Sequence, residues 1–155
     1  MTARTIVFGL VMLSATAICA VVARAADEAQ TDVDRLQGAW EIKTLKVNGQ
    51  DIDLELVREK LIRDLLLTFQ FSNLVLEVGE GAEKLEAPYT LDTSTDPKRM
   101  DITLNEGKMR AGIYRFDGEK LELCFGPDDS PQRPKTFEAP DGEPFVLLVL
   151  ERKAS

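Results

Sequence analysis

Cys124 is the side chain with the clearest capacity for covalent chemistry in this sequence, because a thiolate is a strong nucleophile. Catalysis by cysteine normally relies on a histidine base, and the 155-residue chain contains no His. Glu122 stands two positions earlier, on the same face of a strand, so we expect it to raise the pKa of the thiol. We interpret Cys124 as a structural residue, with a disulfide between two chains as the alternative.

Acidic residues outnumber basic ones, at 27 Asp and Glu against 19 Lys and Arg, for a formal net charge of −8. This charge argues against nucleic-acid binding, which requires basic surfaces. The alternating acids of Asp51–Glu55 begin like a calcium loop, but Leu56 occupies the position that such a loop gives to glycine. We interpret them as capping and solvated residues, and Asp128 and Asp129 as part of a solvated loop.

The remaining motifs of catalysis and cofactor binding are incomplete. Gly79 and Gly81 are not followed by the Lys-Ser/Thr pair and the helix that a phosphate-binding loop requires. No serine stands in a G-x-S-x-G context, and no spacing of carboxylates favours glycoside chemistry. The sequence therefore predicts that the protein is not an enzyme, with no catalytic residue, no metal site and no cofactor.

Most of the chain alternates apolar and polar residues with period two, which is typical of β-strands with one buried face. Eight strands are predicted, at residues 40–44, 67–71, 74–78, 85–91, 100–105, 112–116, 121–125 and 145–150. Short connections favour an antiparallel meander, and eight strands can close into a small barrel that holds one ligand. The predicted fold is all-β, an eight-stranded antiparallel up-and-down β-barrel.

Two short helical segments interrupt this pattern. Leucine and valine recur at helical spacing after strand one, which predicts a helix that Asp53 caps and that ends near Arg63. Asp32–Gln37 predicts one helical turn with Asp32 as its cap. Asp117-Gly118 predicts a two-residue hairpin that pairs Phe116 with Glu119.

The predicted inward face is rich in aromatic side chains, which form either a plain core or the lining of a ligand site. The candidate ligand-binding residues are Phe69, Phe71, Tyr89, Met100, Tyr114 and Phe116. The positions that period two assigns to the interior are Leu67, Phe69, Phe71, Leu74, Leu76, Tyr89, Leu91, Met100, Ile102, Tyr114, Phe116, Leu121 and Leu123. They include no cation, and their only polar groups are the two Tyr hydroxyls, which are enough to orient a ligand. A neutral or cationic apolar ligand is therefore expected in preference to an anion.

The N-terminal residues have the composition of a targeting segment. Arg4 precedes the uncharged apolar stretch Ile6–Val22, and Ala23-Arg24-Ala25 places small residues at a cleavage site. This order is typical of a secretory signal peptide. We predict a signal peptide at 1–25 and an exported domain at 26–155, in the periplasm, cell envelope or extracellular space, with no membrane segment after cleavage. The alternative is a retained membrane anchor, at the lower limit of length for a span.

Gly38-Ala39-Trp40, directly after the helical turn, resembles the G-x-W signature of lipocalins. This resemblance implies that Trp40 closes one end of the barrel and that Arg152, at the end of the last strand, packs across it. More closely, the chain resembles an uncharacterised family of exported lipocalin-like domains abundant in planctomycete bacteria. The matching segments are Leu36–Trp40, Gly112–Phe125, Arg133-Pro134 with Phe137, and Leu147–Arg152.

The family implies no established activity, so the resemblance predicts architecture better than function. The leading hypothesis is binding of a small apolar or amphipathic molecule inside the barrel, with the helix after strand one near the mouth. The alternative is a filled barrel that acts as a non-enzymatic interaction or structural module of the cell envelope. An interior cavity of about 300 Å³ or more would favour the first hypothesis. The oligomeric state is not predicted.

Overall fold

The computed structural model describes residues 28–61, 65–77 and 84–154. Its strands are β1 (Gly38–Val47), β2 (Gln50–Asp51), β3 (Leu66–Gln70), β4 (Asn73–Glu77), β5 (Leu85–Asp92), β6 (Lys98–Thr103), β7 (Met109–Asp117), β8 (Lys120–Phe125) and β9 (Val146–Arg152). The predicted signal peptide and its cleavage site lie outside the described residues. In the described ranges, no helix has the length and apolar character needed to span a membrane.

The sheet closes into a barrel because β1 pairs with β9 as well as with β3. Neighbouring strands are antiparallel and follow the order of the chain. The two-residue strand β2 pairs only with the end of β1 and adds nothing to the wall. The predicted eight-stranded antiparallel up-and-down barrel is therefore confirmed.

Two α-helices accompany the barrel in the ranges that the structure describes. The first, α1, covers 28–36, and the second, α2, covers Leu54–Leu61 after strand one, as predicted. Asp53 caps α2, because its Oδ1 accepts the N–H groups of Glu55 at 3.0 Å and Leu56 at 3.1 Å. The predicted end of this helix at Arg63 lies outside the described residues. Asp32 is not a cap, since it stands inside α1.

A β-bulge at Lys43 changes which side chains of β1 face inward. Ile42 pairs with Leu150, but the next pair is Thr44 with Val149, so Lys43 is the extra residue. Strict alternation predicts Thr44 inside the barrel. The bulge instead places Leu45 inside, where it packs against the core.

The turn between β3 and β4 corrects the position of Phe71. β3 ends at Gln70, which pairs with Asn73, so Phe71 and Ser72 form the turn. Phe71 has a φ of 54° and its side chain is 87% exposed. The prediction that Phe71 faces the interior is wrong. The apolar–polar alternation of the sequence continues through Phe71, but strand pairing with β4 already ends at Gln70.

The β7–β8 hairpin is present, with a register different from the predicted one. Phe116 pairs with Leu121 and Asp117 with Lys120, so Gly118 and Glu119 form the turn. The partner of Phe116 is thus displaced by two residues. An even displacement leaves every side chain on its predicted face. The core face of this hairpin is therefore as expected.

Candidate ligand-binding cavity

An apolar cavity of about 270 Å³ lies inside the barrel. Its lining comprises Ile42, Leu45, Leu65, Leu67, Leu74, Leu76, Leu85, Ala87, Ile102, Leu104, Arg110, Phe125, Val146 and Leu148. Several of these residues start or end their strands on the side opposite Trp40, so the cavity lies toward that end of the barrel. We call this side the open end and the Trp40 side the closed end.

Trp40 and Arg152 lie together at the closed end. Trp40 is 2% exposed, and its Nε1 donates a hydrogen bond of 2.7 Å to the carbonyl of Leu36 in α1. The guanidinium carbon of Arg152 lies 4.5 Å from the centroid of the indole ring. Arg152 also donates to the carbonyls of Gln37 at 2.7 Å and Arg35 at 2.5 Å, which joins β9 to the end of α1.

Five of the six candidate ligand-binding residues pack in the closed half of the barrel. Phe69 meets Tyr89 edge to face at 5.4 Å between ring centroids, and Tyr114 meets Phe116 in the same way at 6.2 Å. Met100 is fully buried in the same core. None of the five is among the residues that line the cavity.

Phe71, the sixth candidate, lies on the outside of the closed end. Its backbone is held by two other side chains: its N–H donates to Gln37 Oε1 at 2.7 Å, and its carbonyl accepts the Tyr89 hydroxyl at 2.7 Å. The ring itself extends into solvent. The predicted site residues therefore divide between a packed core and an exposed turn.

A buried polar cluster attaches α1 to the barrel wall. Asp32 is 4% exposed, and its Oδ2 accepts hydrogen bonds of 2.7 Å from the Tyr114 hydroxyl and from Lys98 Nζ. Burial, reinforced by the hydrogen bond to Asp32, raises the pKa of Tyr114 far above its usual range. Burial also raises the pKa of Tyr89.

Both Tyr hydroxyls thus donate to protein acceptors, Tyr114 to a carboxylate and Tyr89 to a backbone carbonyl. This arrangement corrects the prediction that they orient a ligand. The inward alternation of the sequence placed them on the correct face. The alternation could not show that Asp32, 82 residues away in the chain, would accept a hydrogen bond from the Tyr114 hydroxyl.

Arg110 is the functional candidate that sequence reasoning missed. It is the one charged residue in the cavity lining that the structure describes, so the prediction of a lining without a cation is wrong. The signal was available, because Arg110 precedes Gly112, Tyr114 and Phe116 with the same period of two. Only the observed start of β7 at Met109 shows that the alternation extends that far.

The segment 126–145 runs beside Arg110 at the open end. The N–H of Gly126 donates to the carbonyl of Ala111 at 2.8 Å, and that of Asp129 donates to the carbonyl of Met109 at 2.7 Å. Arg110 Nε donates to Asp128 Oδ1 at 2.5 Å. These bonds fix Asp128 next to the guanidinium, at the edge of the cavity.

Phe125 is the one aromatic residue among the described residues that line the cavity. It is paired with Gly112 across the sheet. A Cβ atom at position 112 would lie 2.3 Å from the Phe125 ring and 2.9 Å from the carbonyl of Met100. Glycine at this position therefore gives the ring the space to lie across β7.

The helix α2 lies along the wall rather than in the cavity lining. Arg58 donates to Glu41 Oε1 at 3.1 Å and to the carbonyl of Ile42 at 3.3 Å, both on β1. Leu54 and Val57 pack against the barrel core. No residue of α2 is among the lining residues in the part of the chain that the structure describes.

Cys124 is buried on the outer face of β8, under the segment 126–145. Its Sγ lies 3.7 Å from the carbonyl of Glu138. Burial raises the pKa of the thiol to about 11. The predicted direction is right, but its cause is desolvation rather than Glu122, which is paired with Arg115 at 2.6 Å. Across the described ranges, no group of three His, Cys, Asp or Glu residues is placed to hold a metal ion.

Comparisons with known proteins returned no match to a family model, to a curated protein or to a solved structure. Membership of the lipocalin-like family stays a prediction.

Proposed function

We propose that this protein is a non-enzymatic, exported, lipocalin-like barrel that binds a small apolar molecule at its open end. The observation that carries the proposal is the cavity, because thirteen of its fourteen described lining residues are apolar. An apolar lining of this kind favours apolar guests. Export is supported by the charged, apolar and small-residue order of positions 1–25.

The size of the cavity limits the size of the ligand. Its volume of about 270 Å³ is close to the lower end of ligand pockets, which is about 300 Å³. A cavity of about 150 Å³ accommodates benzene, so proportion gives this one roughly ten carbon atoms. A linear molecule of about ten carbons is therefore the appropriate probe, whereas a sterol would have to extend far outside.

The test is isothermal titration calorimetry, in which 2-decanone is titrated into the purified domain. We expect saturable binding at one site. Ala87→Leu and Ala87→Phe should weaken binding in that order, by tenfold or more for Phe, which corresponds to about 1.4 kcal/mol. Ala87 is a suitable position because its buried side chain lines the cavity.

Thr90→Phe is the matched control, since Thr90 is exposed on the outer face of the same strand. It should leave the affinity for 2-decanone unchanged. If the unaltered domain does not bind the ketone, or if both Phe variants bind it equally well, the cavity is not a ligand site. The filled closed half would then favour the interaction module.

A further inference from the structure

The ion pair between Arg110 and Asp128 is the only charged feature in the described lining of the cavity and its edge. Arg110 faces inward from the start of β7 and is paired with Ile102, which also lines the cavity. Its side chain is 25% exposed, so the guanidinium lies between the apolar interior and the solvent. A ligand with one polar end would place that end here.

The guanidinium keeps donors available for such a ligand. Arginine carries five N–H groups, and Asp128 Oδ1 engages Nε and Nη2. Among the described residues, Nη1 has no hydrogen-bond partner. A hydrogen-bond acceptor at the end of a ligand can therefore bind Arg110 while Asp128 stays in place.

The charge of the pair decides which acceptor is favoured. Asp128 already compensates the guanidinium, so the pair as a whole is neutral. A ligand carboxylate would share one cation with a second carboxylate at close range, in a protein with a net charge of −8. A ketone or hydroxyl oxygen accepts the same N–H without this repulsion.

We propose that Asp128 is a specificity-determining residue, which makes the cavity select apolar molecules with a neutral acceptor group over fatty acids of the same length. Arg110 binds the acceptor, and Asp128 repels a carboxylate. This inference rests on the proposed function. The preference for neutral over anionic ligands was expected from a lining without cations, and it is retained here for a different physical reason.

The experiment compares 2-decanone with decanoate at pH 7, in the unaltered protein and in Asp128→Asn. The unaltered protein should bind the ketone at least tenfold more tightly than the acid. Asp128→Asn should strengthen decanoate binding at least tenfold and change ketone binding less than threefold. Adding Arg110→Gln to Asp128→Asn should remove the gain for decanoate.

Asp129→Asn is the matched control, because Asp129 is an adjacent exposed acid whose loss changes the net charge equally. It should leave the ratio of the two affinities unchanged. The inference is overturned if Asp128→Asn leaves that ratio unchanged, or if Asp129→Asn shifts it as much. Failure of the unaltered protein to bind the ketone is a separate result, which overturns the proposed function and this inference together.

Discussion

Trp40 contacts three parts of the closed end at once. Its ring lies under Arg152 of β9 and 6.4 Å from the Phe116 ring of β7, and its indole N–H donates to α1. Loss of a large buried side chain removes apolar burial and leaves a void. We expect Trp40→Ala to lower the free energy of unfolding by about 3–5 kcal/mol.

Arg152→Ala should cost less, about 0.5–2 kcal/mol, which is the range of a cation–π contact. Urea denaturation followed by circular dichroism measures both variants. Arg99→Ala, at an exposed position of β6, is the control and should have little effect. An unchanged midpoint for Trp40→Ala would show that the closed end does not depend on this residue.

The Cys124 thiol should make stability fall at alkaline pH. Its pKa is about 11 in the folded protein and about 8.5 in an unfolded chain. Between these values the unfolded chain has lost the proton and the folded chain has kept it, so a rise in pH favours unfolding. The contribution is complete below about pH 8.5 and is lost as the pH rises through about 11.

The measurement is the free energy of unfolding from pH 8 to 11, for the unaltered protein and for Cys124→Ala. The free energy of unfolding should fall more for the unaltered protein than for Cys124→Ala over this range. The difference in free energy of unfolding between the two proteins should therefore change with pH. Parallel pH profiles would contradict the burial of the thiol. Alkylation provides a second readout, and it should be far slower in the folded protein than in urea.

At the scale of elements, the attachment of α1 depends on the Asp32 cluster. Removal of one partner from a buried, hydrogen-bonded charge leaves the others unsatisfied. We expect Asp32→Ala to cost about 2–4 kcal/mol and Tyr114→Phe about 1 kcal/mol. Because the two side chains share a hydrogen bond, the double variant should cost less than the sum, by about 1 kcal/mol or more.

A double-mutant cycle from urea denaturation gives this coupling. Asp34→Ala is the control, since Asp34 is exposed on the same helix and bonds to Gln30. It should cost little and should not couple to Tyr114→Phe. Additivity between Asp32→Ala and Tyr114→Phe would show that the cluster does not anchor the helix.

The sequence was sufficient to predict eight strands, their antiparallel order and the helix after strand one, because each strand has one buried face and short connections. It could not predict the bulge at Lys43 or the turn at Phe71. Both depend on which residue of a neighbouring strand forms the next pair. Local alternation continues through such positions without change, so only the register shows where it is broken.

The candidate site was less predictable than the fold. The alternation of apolar and polar residues identifies the inward face of a strand. It does not show at which height along the barrel axis each side chain lies. Leu67, Leu74, Leu76 and Ile102 were assigned inward and do line the cavity. The larger aromatic side chains fill the closed half instead. Arg110 was missed because a charged residue at a strand end is ordinarily exposed.

The whole molecule has two unlike halves, and variants in each should have different effects. Substitutions at Trp40 or Asp32 alter the packed half and should change stability more than ligand affinity. Substitutions at Ala87 or Arg110 alter the cavity and should change affinity more than stability. The two halves can therefore be studied separately in one protein.

The N-terminus of the exported protein is expected at Ala26, because Ala23-Arg24-Ala25 has small residues at the two positions that signal peptidase contacts. N-terminal sequencing of protein from the extracytoplasmic fraction measures it. Ala25→Arg should prevent processing, and Glu28→Gln, beyond the site, should not. A chain that still begins at Met1 in the membrane fraction would establish the retained anchor.

The closure of one end by Trp40 and α1 has a kinetic consequence. If the cavity binds a ligand as proposed, that ligand faces solvent at the open end, so an incoming molecule must use the place that the outgoing one leaves. Exchange is then sequential, and the rate at which a bound probe is released does not increase with the concentration of its competitor. In a barrel open at both ends, a competitor could instead enter through one end while the bound molecule leaves through the other.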